Sequence, residues 1–431
     1  MAGLAAADMV AAVVTVLIAF TGLYTLRLLL LSRQRRQDLL PAPDDLLFVF
    51  LVPCLNEERV IGRSLERLLA LPGDNFKVMV IDDASEDGTA DVVRQFDPER
   101  VWLFQRTLPD ARKGKGEALN AAYRNLCASG LLGERDPKDV ILAVLDADGR
   151  LAPNALMEVA PFFADPQVGG VQIGVRMYNA KEKLLARMQD FEFVTFTEVN
   201  QRARQRIGSV GLGGNGQFNR LSALQSLGPA PWTRCLTEDL DLGIQLLTRG
   251  WLNCYCPTTH VSQQAVVQLP RLVRQRARWY QGNLQCWARI PEIVRSSLPT
   301  PVVIDLLYQL LASSLILVMS VASVGFLTAL GLMISRHPEV AAHLVPGHYG
   351  LPLIALYLLS FGWALIYGPL YWLRDRDTSL FKSIAYAHLF TIYAYMWVPA
   401  GWRAVWRTVR RRQDWAKTTR SVEVVQEAYV K

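Results

Sequence analysis

Apolar positions follow two regimes along the chain. Residues 10–31 are apolar apart from Arg27, and near the other end the runs 306–334, 351–373 and 383–402 contain no Asp, Glu, Lys or Arg. At about 1.5 Å per residue, each is long enough to cross a hydrocarbon core of about 30 Å as a helix. Between these regions, short runs rich in Val, Ile and Leu alternate with stretches of helical spacing. The runs 47–52, 77–81, 101–104, 140–145 and 170–175 predict strands; unbroken apolar runs of this length are expected where a strand is buried on both faces. The alternation predicts βαβ units, an α/β fold and a mainly parallel sheet. Ligands of such sheets bind beyond the carboxyl ends of the strands, so the residues just after each run come first for scrutiny.

Charge placement gives the chain a direction. Arg33, Arg35 and Arg36 follow the first apolar run, whereas a signal peptide carries its positive charge in front. That run is read as an uncleaved anchor with the chain beyond it in the cytoplasm. Arg374 and Arg376 follow the run 351–373, and Arg403, Arg407, Arg410, Arg411 and Arg412 follow the run 383–402. Both clusters ask for the cytoplasmic side, and two cytoplasmic ends cannot bracket one crossing. Either 383–402 is re-entrant or interfacial, or the stretch 301–334 holds a different number of spans. The organisation expected is an anchor (1–39), a cytoplasmic catalytic unit (40–260), interfacial helices (261–300), a C-terminal membrane region (301–412) and a cytoplasmic tail (413–431).

Composition agrees with a membrane protein. Of 431 residues, 51% are hydrophobic and 20% charged, below the roughly 25% charged of soluble domains. This excludes intrinsic disorder, and the absence of a Gly-x-y period excludes collagen. The net charge of +7 arises in good part from Arg beside apolar runs, where lipid headgroups account for it, so no nucleic-acid partner is expected. The six cysteines lack the spacing of a zinc site and are read as reduced thiols.

The strand tips carry the candidate chemistry. The first ends in Pro53-Cys54-Leu55-Asn56-Glu57-Glu58 and the second in Asp82-Asp83-Ala84-Ser85, followed by Asp87-Gly88-Thr89. A turn with a helix cap needs one acidic residue and leaves the Asp82-Asp83 pair unexplained. The fourth delivers Asp146-Ala147-Asp148-Gly149, two carboxylates one residue apart that can both reach a hard divalent cation; Mg²⁺ fills its remaining positions with water and phosphate oxygens. Lys113-Gly114-Lys115-Gly116 enters a helix, where a lysine can neutralise a diphosphate, although the spacing is not that of a P-loop. Thr237-Glu238-Asp239 opens a further helix that Thr237 can cap and Gly250 can close; its acidic first turn suits the helix dipole as well as it suits a base. Gln275-Arg276-Ala277-Arg278-Trp279 lies in a run of basic, aromatic and apolar residues suited to a membrane surface, with Trp279 either an interfacial anchor or a stacking platform for a sugar.

In chain order, Asp82-Asp83, Asp146-x-Asp148, Thr237-Glu238-Asp239 and Gln275-x-x-Arg278-Trp279 resemble the membrane-embedded family 2 glycosyltransferases, the cellulose, chitin, hyaluronan and poly-N-acetylglucosamine synthases. The resemblance implies a GT-A nucleotide-sugar-binding domain. By position it assigns the nucleotide sugar to Asn56, Glu57, Asp82, Asp83, Lys115, Asp146, Asp148, Gln275 and Arg278. It assigns Mg²⁺ or Mn²⁺ to Asp146 and Asp148, the general base to Asp239 beside Glu238, and the acceptor to Trp279, Gln217 and Thr237. The stretch from Gly213 to Arg220 departs from the family pattern by ending in one Arg, and Trp415-Ala416-Lys417-Thr418 resembles the ending of some bacterial members.

The activity implied is a processive, inverting synthase of the bacterial plasma membrane that draws a UDP-sugar from the cytoplasm, extends a β-glycan and passes it through its own membrane region, with membrane lipids and accessory secretion or modifying proteins as further partners. A transferase that glycosylates a single lipid acceptor is the alternative, and the Gln275 to Trp279 motif is what separates the two. A catalytically dead receptor would not need the full acidic set.

Overall fold

The computed structural model describes residues 2–33, 39–336, 354, 357–358, 360–375 and 377–412. Its strands are β1 (Leu47–Cys54), β2 (Phe76–Asp82), β3 (Val101–Gln105), β4 (Val140–Val144), β5 (Arg150–Leu151), β6 (Val168–Met177), β7 (Gln217–Arg220) and β8 (Leu252–Gln263). They form one sheet in the order β3-β2-β1-β4-β7-β6-β8-β5. Within β1, side chains alternate between two cores: Phe48, Phe50 and Val52 join one, and Leu47, Val49 and Leu51 the other. That period of two, buried on both sides, is why the sequence reads as an unbroken apolar run.

The pairings β1–β2, β2–β3 and β1–β4 are parallel, as the sequence predicts. The second half of the sheet is mixed: β7 runs antiparallel to β4 and β6, and β5 to β8, whereas β6 and β8 are parallel. The reason is β7, a four-residue return strand inserted between β4 and β6. β5, β7 and β8 escape a hydrophobicity reading because their sequences carry Arg, Gln, Asn and Thr at buried or edge positions.

Helices α1 (Ala2–Leu31), α2 (Glu58–Leu69), α3 (Thr89–Val93), α4 (Lys115–Ala128), α5 (Ala155–Val159), α6 (Leu184–Glu192), α7 (Glu198–Ile207), α8 (Leu221–Ser226) and α9 (Glu238–Thr248) fill the connections. Residues of α2 and α5 cover one sheet face, and those of α4, α8 and α9 the other. There follow α10 (Leu269–Gln285), α11 (Ile290–Arg295), α12 (Thr300–Arg336), α13 (Ala364–Arg374), α14 (Leu380–Ala394) and α15 (Trp397–Val409). A third core joins Leu29 of α1, Phe191 of α6, Leu272 of α10, Tyr371 of α13 and Phe390 of α14.

Among the described residues, α12 is the helix long and apolar enough to cross a membrane; Val321, Val324, Phe326 and Leu327 on it are exposed. In α1 the apolar stretch Thr15–Leu31 is shorter. Residues 351–353, 355, 356 and 359 of the third apolar run, and the tail with Trp415 to Thr418, lie outside the described residues. The run 383–402 is not one helix. It breaks between α14 and α15, of 15 and 13 residues, each about 20 Å long and short of a ~30 Å core. Pro399 in the first turn of α15 supplies no backbone donor to continue the preceding helix.

Asp305 fixes α12 against the α/β unit. Fully buried, it accepts from Tyr24 Oη of α1 at 2.5 Å, Arg204 Nε of α7 at 3.0 Å and Ser209 Oγ at 2.7 Å. A carboxylate buried at a helix junction needs such a set, because an unpaired charge there costs several kcal/mol, of the order of 3–5.

Candidate active site

The order of β2, β1 and β4 places a crevice outside their carboxyl ends, where the strand sequence reverses direction. A cavity of about 590 Å³ opens there. It is lined by Glu57 and Asp83 from the tips of β1 and β2, Lys115 from α4, Asp146 and Asp148 beyond β4, Thr237, Glu238 and Asp239 at the start of α9, and Gln275, Arg278 and Trp279 of α10. Four motifs spread over nearly two hundred residues therefore meet in one space.

Lys115 stands at the centre. Its ammonium lies 2.7 Å from Asp146 Oδ1, donates to the Gly214 carbonyl at 2.5 Å and is 4.0 Å from Glu238 Oε1. Burial works against that charge, but Asp146, Glu238 and Asp239 outweigh it and hold the Lys115 pKa above its ordinary value. Burial, and then the neighbouring Asp239, push Glu238 up to about 7. Burial also raises Asp239, although the Leu240 amide, donating to its Oδ1 at 2.8 Å, and Lys115 oppose the shift. Burial lowers the Arg278 guanidinium pKa against the opposing pull of Glu238, Asp146 and Asp239, and its Nε has no hydrogen-bond partner among the described residues. Two carboxylates that ionise reluctantly thus face two largely buried cations.

The surrounding loops hold this arrangement. Asn215 Oδ1 accepts from the Asp146 amide at 3.2 Å, and its Nδ2 donates to Gln263 Oε1 at 2.9 Å. Asp148 Oδ2 accepts from the Gln264 amide at 3.3 Å. Gln172, inside the sheet, accepts from Gly213 N at 2.8 Å and donates to the Asn215 carbonyl at 3.0 Å. A Cβ on Gly214 would lie 3.1 Å from Asp239 Oδ2 and 3.4 Å from Lys115 Nζ, so a side chain there would crowd both.

Other expected residues stand apart. Asp82 accepts from the Ser85 amide at 2.9 Å and Gln105 Nε2 at 3.1 Å, closing the turn after β2, while its neighbour Asp83 lines the cavity and pairs with Arg106. Asn56, at φ 54°, braces the same turn: its amide donates to Ser85 Oγ at 2.9 Å and its Oδ1 accepts from Glu86 N at 2.8 Å. Gln217, expected at the acceptor, is fully buried in β7 opposite Val144 and does not reach the cavity, because its strand lies inside the sheet. Thr237 occupies the cap position of α9 without a side-chain cap bond; its hydroxyl lies 3.6 Å from Cys286 Sγ instead. Gly250, with φ 88°, does sit just past the end of that helix.

Trp279 has a dedicated support. Its ring meets Phe193 edge-on at 6.3 Å, and the buried Arg276 guanidinium lies 4.1 Å from its centroid. Arg276 pairs with Glu192 at 2.6 Å and also faces Trp397 of α15 at 5.2 Å. Gln263, Gln264, Asn283, Gln309, Ser313 and Trp397 line the cavity too, and none was identifiable from sequence, since none belongs to a local motif.

The family model for glycosyltransferase like family 2 matches residues 43–282. A β-monoglucosyldiacylglycerol synthase of Trichormus variabilis is 34% identical over 245 residues, covering 54% of this chain and 48% of that protein. A poly-β-1,6-N-acetyl-D-glucosamine synthase of Staphylococcus aureus is 28% identical over 239 residues, covering 54% of each. The chain spans about half the length of the curated relatives it matches. Among solved structures, a mannosyltransferase of Pyrobaculum calidifontis in complex with GDP-Man and Mn²⁺ superposes with a TM-score of 0.62 over 93% of this chain and 99% of that one, at 21% identity, a likeness of fold.

Proposed function

Since the chain belongs to the glycosyltransferase-like family 2, we propose that it is an inverting transferase of the bacterial plasma membrane that moves a sugar from a nucleoside diphosphate donor to a hydroxyl reaching the cavity from the side of its apolar helices. The observation that carries this reading is the convergence of Asp146, Asp148, Glu238, Asp239, Lys115 and Arg278 on a cavity whose far wall is built by α12 and α15.

Asp239 takes the proton of the acceptor hydroxyl as its oxygen bonds to the anomeric carbon. The bond from that carbon to the diphosphate breaks on the opposite face, so an α-linked donor gives a β-linked product. A positioned base contributes about 10²–10⁴-fold. Negative charge grows on the departing diphosphate, and Lys115 and Arg278, both largely buried, are placed to stabilise it. Glu57 and Asp83 hold the nucleoside side, with Asn56 and Asp82 shaping the turn beneath it.

Among the described residues, no three His, Cys, Asp or Glu side chains gather to hold a metal. Asp146 and Asp148 would hold Mg²⁺ or Mn²⁺ as two carboxylates one residue apart, the number that a donor-bound divalent ion commonly takes from protein. When bound, the ion supplies positive charge to the leaving diphosphate.

The apolar helices decide the acceptor. α1, α12 and the run ending in α13 serve as spans, and the broken pair α14–α15 enters and leaves on the cytoplasmic face, which removes the parity conflict of a straight crossing. Aliphatic Val266 and Val267, with Tyr280, Trp397 and α12, line the cavity beyond Trp279. This wall suits an amphiphile entering sideways from the bilayer, and the relative in Trichormus variabilis is named for a glycolipid product. A processive β-glycan synthase is the second reading, supported by Gln275, Arg278 and Trp279 on the cavity wall and by the poly-N-acetylglucosamine synthase relative.

The test uses the protein in nanodiscs with Mg²⁺ or Mn²⁺, radiolabelled UDP- and GDP-sugars, and diacylglycerol present or absent. A labelled lipid that depends on diacylglycerol supports the first reading and a high-molecular-weight product the second. Asp239→Asn should bind donor and transfer nothing; turnover at the wild-type rate would remove Asp239 as the base.

A further inference from the structure

The donor half of the cavity is accounted for by charged groups, but its far wall carries a polar cluster that the transfer chemistry does not use. We propose that Asn283, Gln309 and Ser313 form a subsite for the hydroxyl-bearing segment of the acceptor adjoining the hydroxyl that reacts. The proposal rests on the glycosyl-transfer reading and adds to it where the acceptor lies.

All three side chains line the cavity. Gln309 and Ser313 are four residues apart on α12 and so share one face of that helix. Asn283 comes from α10. Ser313 Oγ donates to Asn283 Oδ1 at 3.0 Å, and Asn283 Nδ2 donates to the Gln309 backbone carbonyl at 3.4 Å. Gln309 Oε1, by contrast, is buried and has no hydrogen-bond partner among the described residues. A buried amide oxygen left unmatched is costly, and a donating hydroxyl from a bound molecule would satisfy it.

The position fits an acceptor. A Cβ on Gly211 would lie 2.9 Å from Gln309 Nε2, and one on Gly214 would lie 3.1 Å from Asp239 Oδ2. One loop therefore touches Gln309 at one end and Asp239 at the other, and three residues of chain reach at most about 10 Å. Gln201 pins the Gly211 end, donating to its carbonyl at 2.6 Å and accepting from its amide at 3.3 Å. A sugar whose reacting oxygen sits at Asp239 extends its remaining hydroxyls toward the side of the cavity that carries Gln309 and Ser313. The terminal sugar of a glycan offers such hydroxyls, whereas a diacylglycerol has a single free hydroxyl, the one that reacts, and its two ester groups cannot donate. Were these residues there only to pack α12 on α10, acceptor affinity would not depend on them.

The test compares wild type, Gln309→Leu and Ser313→Ala, full-length in nanodiscs, with diacylglycerol as acceptor in one arm and a short β-linked oligosaccharide in the other. In the oligosaccharide arm acceptor KM is expected to rise about tenfold in Gln309→Leu and severalfold in Ser313→Ala, with donor KM moving less than twofold, while acceptor KM in the diacylglycerol arm stays unchanged. Unchanged acceptor KM for the oligosaccharide, or wild-type transfer to diacylglycerol alone, would overturn the subsite while leaving the transfer reading in place. If Gln309→Leu does not fold, the near-isosteric Ser313→Ala decides by the same readout. Wild-type protein that turns over no donor in either arm would sink the transfer reading and the subsite with it.

Discussion

The Lys115 ammonium is 2.7 Å from Asp146 Oδ1, a salt bridge at the mouth of β4 between a largely buried cation and a carboxylate one-third exposed. Lys115 thereby holds positive charge beside the carboxylates before any donor arrives. Because its carboxylate neighbours keep its pKa above the ordinary lysine value despite burial, the charge persists across neutral and mildly alkaline pH.

Lys115→Met should therefore weaken binding of a nucleoside diphosphate by roughly ten- to a hundredfold, the worth of a charge-assisted contact of about 1.5–3 kcal/mol. Titration calorimetry with UDP and GDP checks this. An unchanged Kd would assign Lys115 to holding the Gly214 loop.

Glu238 yields a pH prediction with a definite sign. Burial raises it from 4.5 to about 7, so the folded state holds a proton that the unfolded chain has released. Its contribution to stability is complete below about pH 4.5 and disappears as pH rises through about 7. Glu238→Gln, which cannot ionise, should melt close to wild type at pH 4 and several degrees higher at pH 8. Thermal unfolding in nanodiscs across that range measures it; a constant gap between the two proteins would contradict the buried-charge account. Asp239 is raised as well, so transfer should fall on the acid side at a higher pH than an ordinary carboxylate base would give.

The sequence marked the residues that meet beyond β1, β2 and β4 but not those on the opposite wall of the cavity, for a physical reason. Asp83, Asp146 and Asp148 follow buried parallel strands, whose apolar runs are visible and whose ends must meet at one edge of the sheet. Asn283, Gln309 and Ser313 reach the cavity only because α10 and α12 pack as they do, and a Gln four residues from a Ser in an apolar helix has no local signature. Gln217 misled for the opposite cause: its motif is local, but the strand carrying it is interior. The break between α14 and α15 was foreshadowed by the charge parity, not by hydropathy, which runs on unbroken through Tyr395 and Met396.

Gly282 carries a steric prediction. A Cβ at this position of α10 would meet Thr237 N, Oγ1 and Cγ2, all at 2.6 Å, which real contacts essentially never show. Gly282→Ala should therefore push the start of α9, with Glu238 and Asp239, away from Arg278. The expected result is loss of most transfer activity and about 1–3 kcal/mol of stability, the usual range for overpacking. Wild-type kinetics in Gly282→Ala would mean that the loop before α9 yields without cost.

The last prediction concerns how Trp279 is held. Its ring has Phe193 at its edge and Arg276 at 4.1 Å, and Arg276 is fixed in turn by Glu192 at 2.6 Å. A ring clamped on one side can present the other to a sugar without losing rotational freedom on binding. Trp279→Ala should lower transfer to the acceptor far more than acceptor-independent hydrolysis of the donor, because Lys115 and Arg278, the groups proposed for the diphosphate, remain. Equal losses of both would make Trp279 a packing residue. Arg276→Lys, which keeps the charge paired with Glu192 but loses the planar guanidinium over the ring, should give a weaker form of the same split: a higher acceptor KM, an unaltered donor KM and a shifted Trp279 emission. If Arg276→Lys raises both KM values together, its role lies in tethering α10 to α6 and not in orienting the ring.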